Sequence, residues 1–243
     1  MSTLPIVLPR RPVARMVTGL RAFRRLIDNP ADPLEGPIFQ MCAEHALLRR
    51  VTRSFERHAE GRALLTERPR LDATVVSLAA MTDYPEQSLG RAYAAYFVEN
   101  AIIPFDAARL AVVTEVDYVA TRLRESHDIL HVITGYGTDD IGELELQWFN
   151  FGNLGWGPLP ILVFVASFFM GRMTKYGGLW KVLERARAAC RRGRRSRALA
   201  SVRWEDYWRL PLRDVQTLLC APIEEPQPQK KRAPVEQCRR RHG

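Results

Sequence analysis

Arg124–Glu145 reads RESHDILHVITGYGTDDIGELE, and its spacing decides the fold class. His127 and His131 are four residues apart, with Ile129, Leu130, Val132 and Ile133 among and around them. On a helix the two imidazoles lie one turn apart on one face, in apolar surroundings. Gly135 and Gly137 break that helix, and Asp139 and Asp140 open another that carries Glu143 and runs to about Phe151.

Helical spacing continues outward in both directions. Residues 1–12 hold Pro5, Pro9 and Pro12 and read as an irregular arm. Val13, Met16, Val17, Leu20, Phe23 and Ile27 then recur at helical period among arginines, until Asn29-Pro30 stops the helix. A second helix is expected from Pro37 to His58, ended by Glu60-Gly61. Short helices follow at Asp72–Ala80 and Ser88–Glu99, and a long stretch opens at Pro104 and Asp106 and reaches Thr134. A basic helix from Trp180 to Leu199 and a last one at Leu212–Leu219 complete the set. Alternation at period two is nearly absent, so the chain reads as all-α. It forms a single helical domain over residues 13–221, with a Pro-, Gln- and charge-rich tail over residues 222–243 that reads as disordered.

Composition bounds the function. The 243 residues are enough for one sizeable helical core, and 47% of them are apolar. The net charge of +9 points to anionic partners. Seven arginines between Arg185 and Arg197 could meet phosphates, but no base-reading motif or interleaved aromatics accompany them, which disfavours nucleic acid. The basic amphipathic segment Val13–Arg25 is suited either to an anionic membrane surface or to packing on the domain with a solvated face. The longest apolar run, Pro158–Met170, is shorter than the roughly 18–20 residues a spanning helix needs. Cys42, Cys190, Cys220 and Cys238 form no Cys-x-x-Cys pair, which argues against a zinc ribbon or disulfide framework and fits a reducing compartment. The Arg-rich start has no acid before Asp28, as in a mitochondrial transit peptide, but is poor in Ser. The expectation is a bacterial cytoplasmic protein peripheral on the inner membrane, or its equivalent on the matrix side of the mitochondrial inner membrane in a eukaryote.

Two histidines and one or two carboxylates make a mixed nitrogen and oxygen set that suits Zn²⁺, Fe²⁺ or Mn²⁺. The residues alone leave rival readings open. The histidines could be satisfied core residues. Asp140-x-x-Glu143 reads as a capping box that would occupy Glu143, and Asp128 could pair with Arg124.

His127-Asp128-Ile129-Leu130-His131, followed after eleven residues by Glu143, resembles the H-D-x-x-H-x11-E hallmark of the Coq-four family of ubiquinone biosynthesis. Flanking segments resemble the family in the same order: Gly61-Arg62-Ala63-Leu64-Leu65 with Pro69, Ser88-Leu89-Gly90 with Ala92-Tyr93, Tyr118 with Arg122, Arg124 and Glu125, and Trp204-Glu205 with Pro211-Leu212. The resemblance spans residues 18 to 220. It implies a divalent metal, zinc first with iron or manganese as alternatives, held by His127, Asp128, His131 and Glu143. Asp128 would either bind the metal or orient a histidine. It implies a metal-dependent oxidative decarboxylase acting on the ring of a prenylated hydroxybenzoate. The alternative is a non-catalytic scaffold that binds isoprenoid or quinone intermediates for other enzymes. The implied partners are that intermediate, an anionic membrane surface, other ubiquinone-biosynthesis proteins and a second copy of the chain. A tail-binding channel could be lined by Tyr93, Tyr96 and Phe97 and by Phe164, Phe168 and Phe169, or these could be ordinary core.

Overall fold

The structure, a computed structural model, describes residues 6–29, 34–72, 75–102, 110–155 and 172–222. The expectations for the Pro158–Met170 run, for Phe164, Phe168 and Phe169, and for the tail from residue 223 onward lie outside them. The protein is all-α, with no strands among the described residues. In chain order the helices are α1 (Pro12–Asp28), α2 (Glu35–Ala43), α3 (His45–Phe55), α4 (Ala59–Glu67), α5 (Leu78–Met81) and α6 (Leu89–Glu99). They continue with α7 (Glu115–Glu125), α8 (His127–Thr134), α9 (Asp140–Leu154), α10 (Arg172–Lys175), α11 (Leu179–Arg195) and α12 (Leu212–Leu219).

Several boundaries differ from the sequence expectation. The helix expected over residues 37–58 is two, broken at Glu44, which leaves helical geometry at φ −101° and ψ 17°. The break lets Ile38 and Met41 of α2 pack with Ala22 of α1, while Val51 and Phe55 of α3 pack with Tyr118 and Val119 of α7. Gly61 does not end a helix; α4 runs through it. A Cβ there would collide with the Phe55 backbone, so the glycine permits close approach. Residues 110–114 are not helical, and α7 begins only after Thr114. The Thr114 hydroxyl accepts from Asp117 N–H and the Asp117 carboxylate accepts from Thr114 N–H, a reciprocal cap. Residues 72 and 75–77 are also outside helix, and of the stretch expected to Ala80 the described residues form only α5.

The core is built in layers around α8. Ile129, Leu130 and Ile133 of α8 pack against Tyr93 and Phe97 of α6, Phe149 of α9 and Val215 and Leu219 of α12. Alongside α9, α11 runs in the same direction: Ile141 and Leu144 meet Val182 and Ala186 at one end, and Asn153 meets Gly193 and Arg197 at the other. A Cβ on Gly152 would strike the Cys190 carbonyl and one on Gly193 the Phe149 carbonyl, so this paired absence of side chains sets the spacing of the two helices.

Buried charge ties the layers together. Arg122 of α7 is 1% exposed. Its guanidinium donates to the Pro69 carbonyl at 3.1 Å and forms a two-pronged pair with Glu205 at 2.8 and 2.7 Å. Tyr118 O–H donates to the same Pro69 carbonyl at 3.1 Å. Three residues beyond Arg122, the Glu125 carboxylate accepts from Arg70 at 2.7 Å and from Leu71 N–H at 2.9 Å. At the far end of α8, Arg192 donates to the Thr134 carbonyl at 2.7 Å, placing a cation at a helix C-terminus.

Glu205→Gln removes the counter-charge of a buried cation and is expected to lower unfolding stability by about 3 kcal/mol, since Glu205 is itself only partly buried. Burial raises the Glu205 carboxyl pKa, but its bonds to Arg122 outweigh this and hold it below its ordinary value of 4.5. A carboxyl depressed in the folded state contributes stability above its unfolded value and loses it as pH falls through the folded value. The gap between wild type and variant in urea titrations should therefore be full at neutral pH and close under acid conditions. A gap that stays constant with pH would contradict the pairing.

Candidate metal centre

Helix geometry delivers two of the candidate ligands. His127 opens α8 and His131 follows one turn later on the same face. The break at Ser126 between α7 and α8 leaves His127 17% exposed, while His131 is 1% exposed in its side chain. Gly135, at φ 75°, takes the left-handed position that closes α8, and the turn after it returns the chain to α9. The Asp139 side chain caps α9 by accepting from Gly142 N–H at 3.0 Å. This corrects the capping-box reading: the cap is one residue earlier than Asp140, and Glu143 is free of that role.

The Glu143 carboxylate instead meets both histidines. Its Oε1 lies 3.1 Å from His131 Nε2, its Oε2 lies 3.6 Å from His127 Nε2, and the two Nε2 atoms are 3.2 Å apart. Ligands about 2.1 Å from a tetrahedral ion stand about 3.4 Å from one another, so the three separations fit one cation between them. His131 Nδ1 lies 3.0 Å from the Tyr136 carbonyl, which can only accept. Nδ1 therefore carries the proton, and in the neutral ring Nε2 offers a lone pair toward Glu143 and His127. A lone pair facing a carboxylate at this distance calls for a positive charge between them, either a proton or a metal ion.

Electrostatics agree. Burial raises the Glu143 carboxyl pKa, but hydrogen bonds and charge from His127 and His131 outweigh it and hold the group well below the usual carboxylate range. Burial disfavours protonated His131, yet the Glu143 carboxylate raises its pKa on balance. The Tyr96 ring stacks on the His131 imidazole at 5.8 Å and 20°, bracing it from the α6 side.

Of the four residues expected as ligands, His127, His131 and Glu143 converge and Asp128 does not join them. One residue on from His127, Asp128 is turned by about 100° around the helix. Its charge acts on Tyr93 and Tyr96, whose phenol pKa values rise first through burial and then through Asp128.

His127 and Glu143 open into a cavity of about 450 Å³. Its apolar walls come from Phe23 and Leu26 of α1, Phe39 and Met41 of α2, Leu47 and Leu48 of α3, and Phe151 and Leu154 of α9. Tyr93 and Phe97, for which core and tail-channel lining were both open, are core residues packed with each other, and Tyr93 also packs against Trp208. The true walls escaped the sequence reading because α1, α2 and α3 are far from α9 in the chain. One signal was present. Glu143, Gln147, Asn150 and Leu154 fall on one face of α9, and all four line the cavity.

The family model described as coenzyme Q (ubiquinone) biosynthesis protein Coq4 matches residues 17–224. The chain is 31% identical over 232 residues to the zebrafish (Danio rerio) mitochondrial COQ4 homolog, covering 91% of this chain and 81% of that one. It is 32% identical over 208 residues to the human mitochondrial homolog, covering 85% and 77%. Its fold is similar to a crystal structure from Nostoc punctiforme, named as a candidate ubiquinone biosynthesis protein, with a TM-score of 0.64 at 21% identity, over 84% of this chain and 97% of that one. The chain belongs to the Coq4 family of coenzyme Q (ubiquinone) biosynthesis proteins.

Proposed function

We propose that this protein holds a divalent metal on His127, His131 and Glu143 and carries out oxidative decarboxylation of the ring of a prenylated hydroxybenzoate. The observation that carries the reading is the convergence of two imidazoles and a carboxylate beside a mainly apolar cavity that His127 and Glu143 line. The ligand set suits zinc, with iron or manganese as alternatives. When bound, the metal would supply a positive centre for the substrate carboxylate, and iron or manganese, unlike redox-inert zinc, would also supply a site for dioxygen, the oxidant. The protein does the rest. The Tyr136 carbonyl fixes the His131 tautomer, and Tyr96 holds its ring plane. Phe23, Phe39, Leu47 and Leu154 exclude water and accept the prenyl chain, so that the ring carbon bearing the carboxyl is presented at the ligand cluster. The carboxyl departs as carbon dioxide, a hydroxyl oxygen from water takes its place, and dioxygen takes up the two electrons and two protons released and leaves as hydrogen peroxide. Asp128 is assigned no direct contact with the metal; its carboxylate sets the charge around Tyr93 and Tyr96.

The same reading gives α1 two faces. Phe23 and Leu26 line the cavity, while Val13, Met16, Leu20 and Ile27 are exposed beside exposed Arg21, Arg24 and Arg25. Among the described residues no helix is long and apolar enough to cross a membrane. An apolar row flanked by arginines suits the interface of an anionic bilayer, where a prenylated substrate resides.

Glu143→Gln keeps a hydrogen-bonding side chain but loses the charge a divalent cation needs, and His131→Ala removes a ligand outright. Both variants should fold, and each should bind metal at least about a hundredfold more weakly than wild type, with decarboxylation lost in parallel. Elemental analysis after dialysis, alongside carbon dioxide release from a prenylated hydroxybenzoate under oxygen, measures this. Stoichiometric metal in both variants would reject the site. Metal binding and substrate binding by wild type without carbon dioxide release would reject catalysis in favour of a carrier.

Flotation with liposomes tests the membrane face. Wild type should bind phosphatidylserine vesicles, less so as salt rises, and the double variant Met16→Asp/Leu20→Asp should lose most of that binding. Equal binding to neutral and anionic vesicles would contradict the electrostatic part.

A further inference from the structure

The cavity face of α9 carries two groups that neither the core nor the metal cluster uses. Counting from Glu143, Gln147 stands about 6 Å along the helix axis, Asn150 about 10 Å and Leu154 about 16 Å, all on one face. All four line the cavity. The row therefore passes from a carboxylate, through two neutral amides, to aliphatic surface, as an amphiphile with a charged head and a greasy tail would require. Phe151, beside the row, continues the apolar part.

Asn153 shows what a structural amide looks like on this helix. Its Nδ2 donates to the carbonyls of Gly193 at 3.0 Å and Arg197 at 2.8 Å, and its Oδ1 accepts from Leu199 N–H at 3.0 Å. Gln147 and Asn150 have no such partner among the described residues, although both are half-buried. Facing the cavity, both amides can be hydrated. A prenylated ligand that expels this water leaves both amides unsatisfied unless the ligand itself carries oxygen at their level, because a desolvated amide without a partner is costly.

We propose that Gln147 and Asn150 are specificity-determining residues that bind neutral oxygen substituents on the ligand ring, beyond the groups presented to the His127–His131–Glu143 cluster. The inference rests on the reading of the cavity as the chamber of a prenylated aromatic acid. An amide both donates and accepts, and it brings no net charge. It matches a neutral ring hydroxyl or ether oxygen, which can donate or accept without adding charge beside Glu143. The 6 Å step from Glu143 to Gln147 is comparable with the width of a substituted benzene ring. A ring held at the cluster thus brings its far substituents level with the amides. A ring lacking that oxygen strands them, so the site selects for the more oxygenated ring.

The test uses the metal-loaded full chain and two synthetic probes, farnesylated para-hydroxybenzoate and the same molecule with one further ring hydroxyl, titrated by calorimetry in detergent. Wild type should bind the more hydroxylated probe about tenfold more tightly, the yield of one or two hydrogen bonds. The near-isosteric double variant Gln147→Met/Asn150→Leu should bind both probes within about twofold of each other, with metal content unchanged and the simpler probe bound at least as tightly as by wild type, since no amide is stranded. Each single variant gives an intermediate ratio if both amides contribute. A variant that retains the wild-type ratio, or a wild type that does not discriminate, overturns the proposal while leaving the chamber intact. A wild type that binds neither probe removes the prenylated-acid reading itself, and the proposal with it.

Discussion

The placement of the site depends on one buried guanidinium. Arg122 sits in the last turns of α7, almost without solvent, and reaches the Pro69 carbonyl and the Glu205 carboxylate at once. It thereby joins the loop after α4 and the short 3-10 turn at Trp204–Asp206 to a single point on α7. Five residues later His127 begins α8. A buried pair of this kind adds little net stability, because desolvating both charges offsets most of their attraction. Its geometric demand is what matters: two parallel bonds to a carboxylate and a third to a carbonyl admit one orientation of the helix. Glu125, held by Arg70 and Leu71 N–H, repeats the constraint on the next turn and fixes where α7 must end.

The other half of the site arrives through packing. Glu143 is on α9, whose position is set against α11 by the paired glycines Gly152 and Gly193 and by Asn153. Arg192 of α11 then reaches the Thr134 carbonyl at the end of α8 and lies over the rings of Tyr136 and Phe149. Arg192 thus braces the α8–α9 connection that carries the Tyr136 carbonyl, to which His131 Nδ1 is bonded. Two independent frames, one of buried charge and one of close helix contact, bring the three side chains to separations of 3.1 to 3.6 Å.

Much of this was legible because it is local. The four-residue histidine spacing, the glycine break and the restart at Asp139 put His127, His131 and Glu143 within reach of one another, and the family resemblance favoured them over the rival readings. The flanking resemblances fall largely on the frame: Pro69, Tyr118, Arg122, Glu125 and Glu205 all take part in the buried bonds, and Gly61 and Gly90 sit where a Cβ would meet neighbouring atoms. What could not be read was set by distant contacts. Gly61 looked like a helix end because a glycine that permits close approach has the same sequence signature as one that terminates. Glu44 breaks a helix without Gly or Pro because α2 and α3 pack against different neighbours. The aromatic stripe Tyr93–Phe97 was open to a core reading from its helical spacing, but its cover, Trp208, lies over a hundred residues away and was not legible. The cavity walls on α1, α2 and α3 follow from how those helices fold back over α9, which no local spacing encodes.

The central claim is that His127, His131 and Glu143 together hold one metal ion. Crystals grown with zinc and measured at the zinc absorption edge test this most directly. The account predicts a single strong anomalous peak, about 2.0–2.2 Å from His127 Nε2, His131 Nε2 and a Glu143 carboxylate oxygen, with Asp128 outside the coordination sphere. A peak elsewhere, a zinc bound by Asp128 in place of Glu143, or no peak at saturating zinc would contradict it.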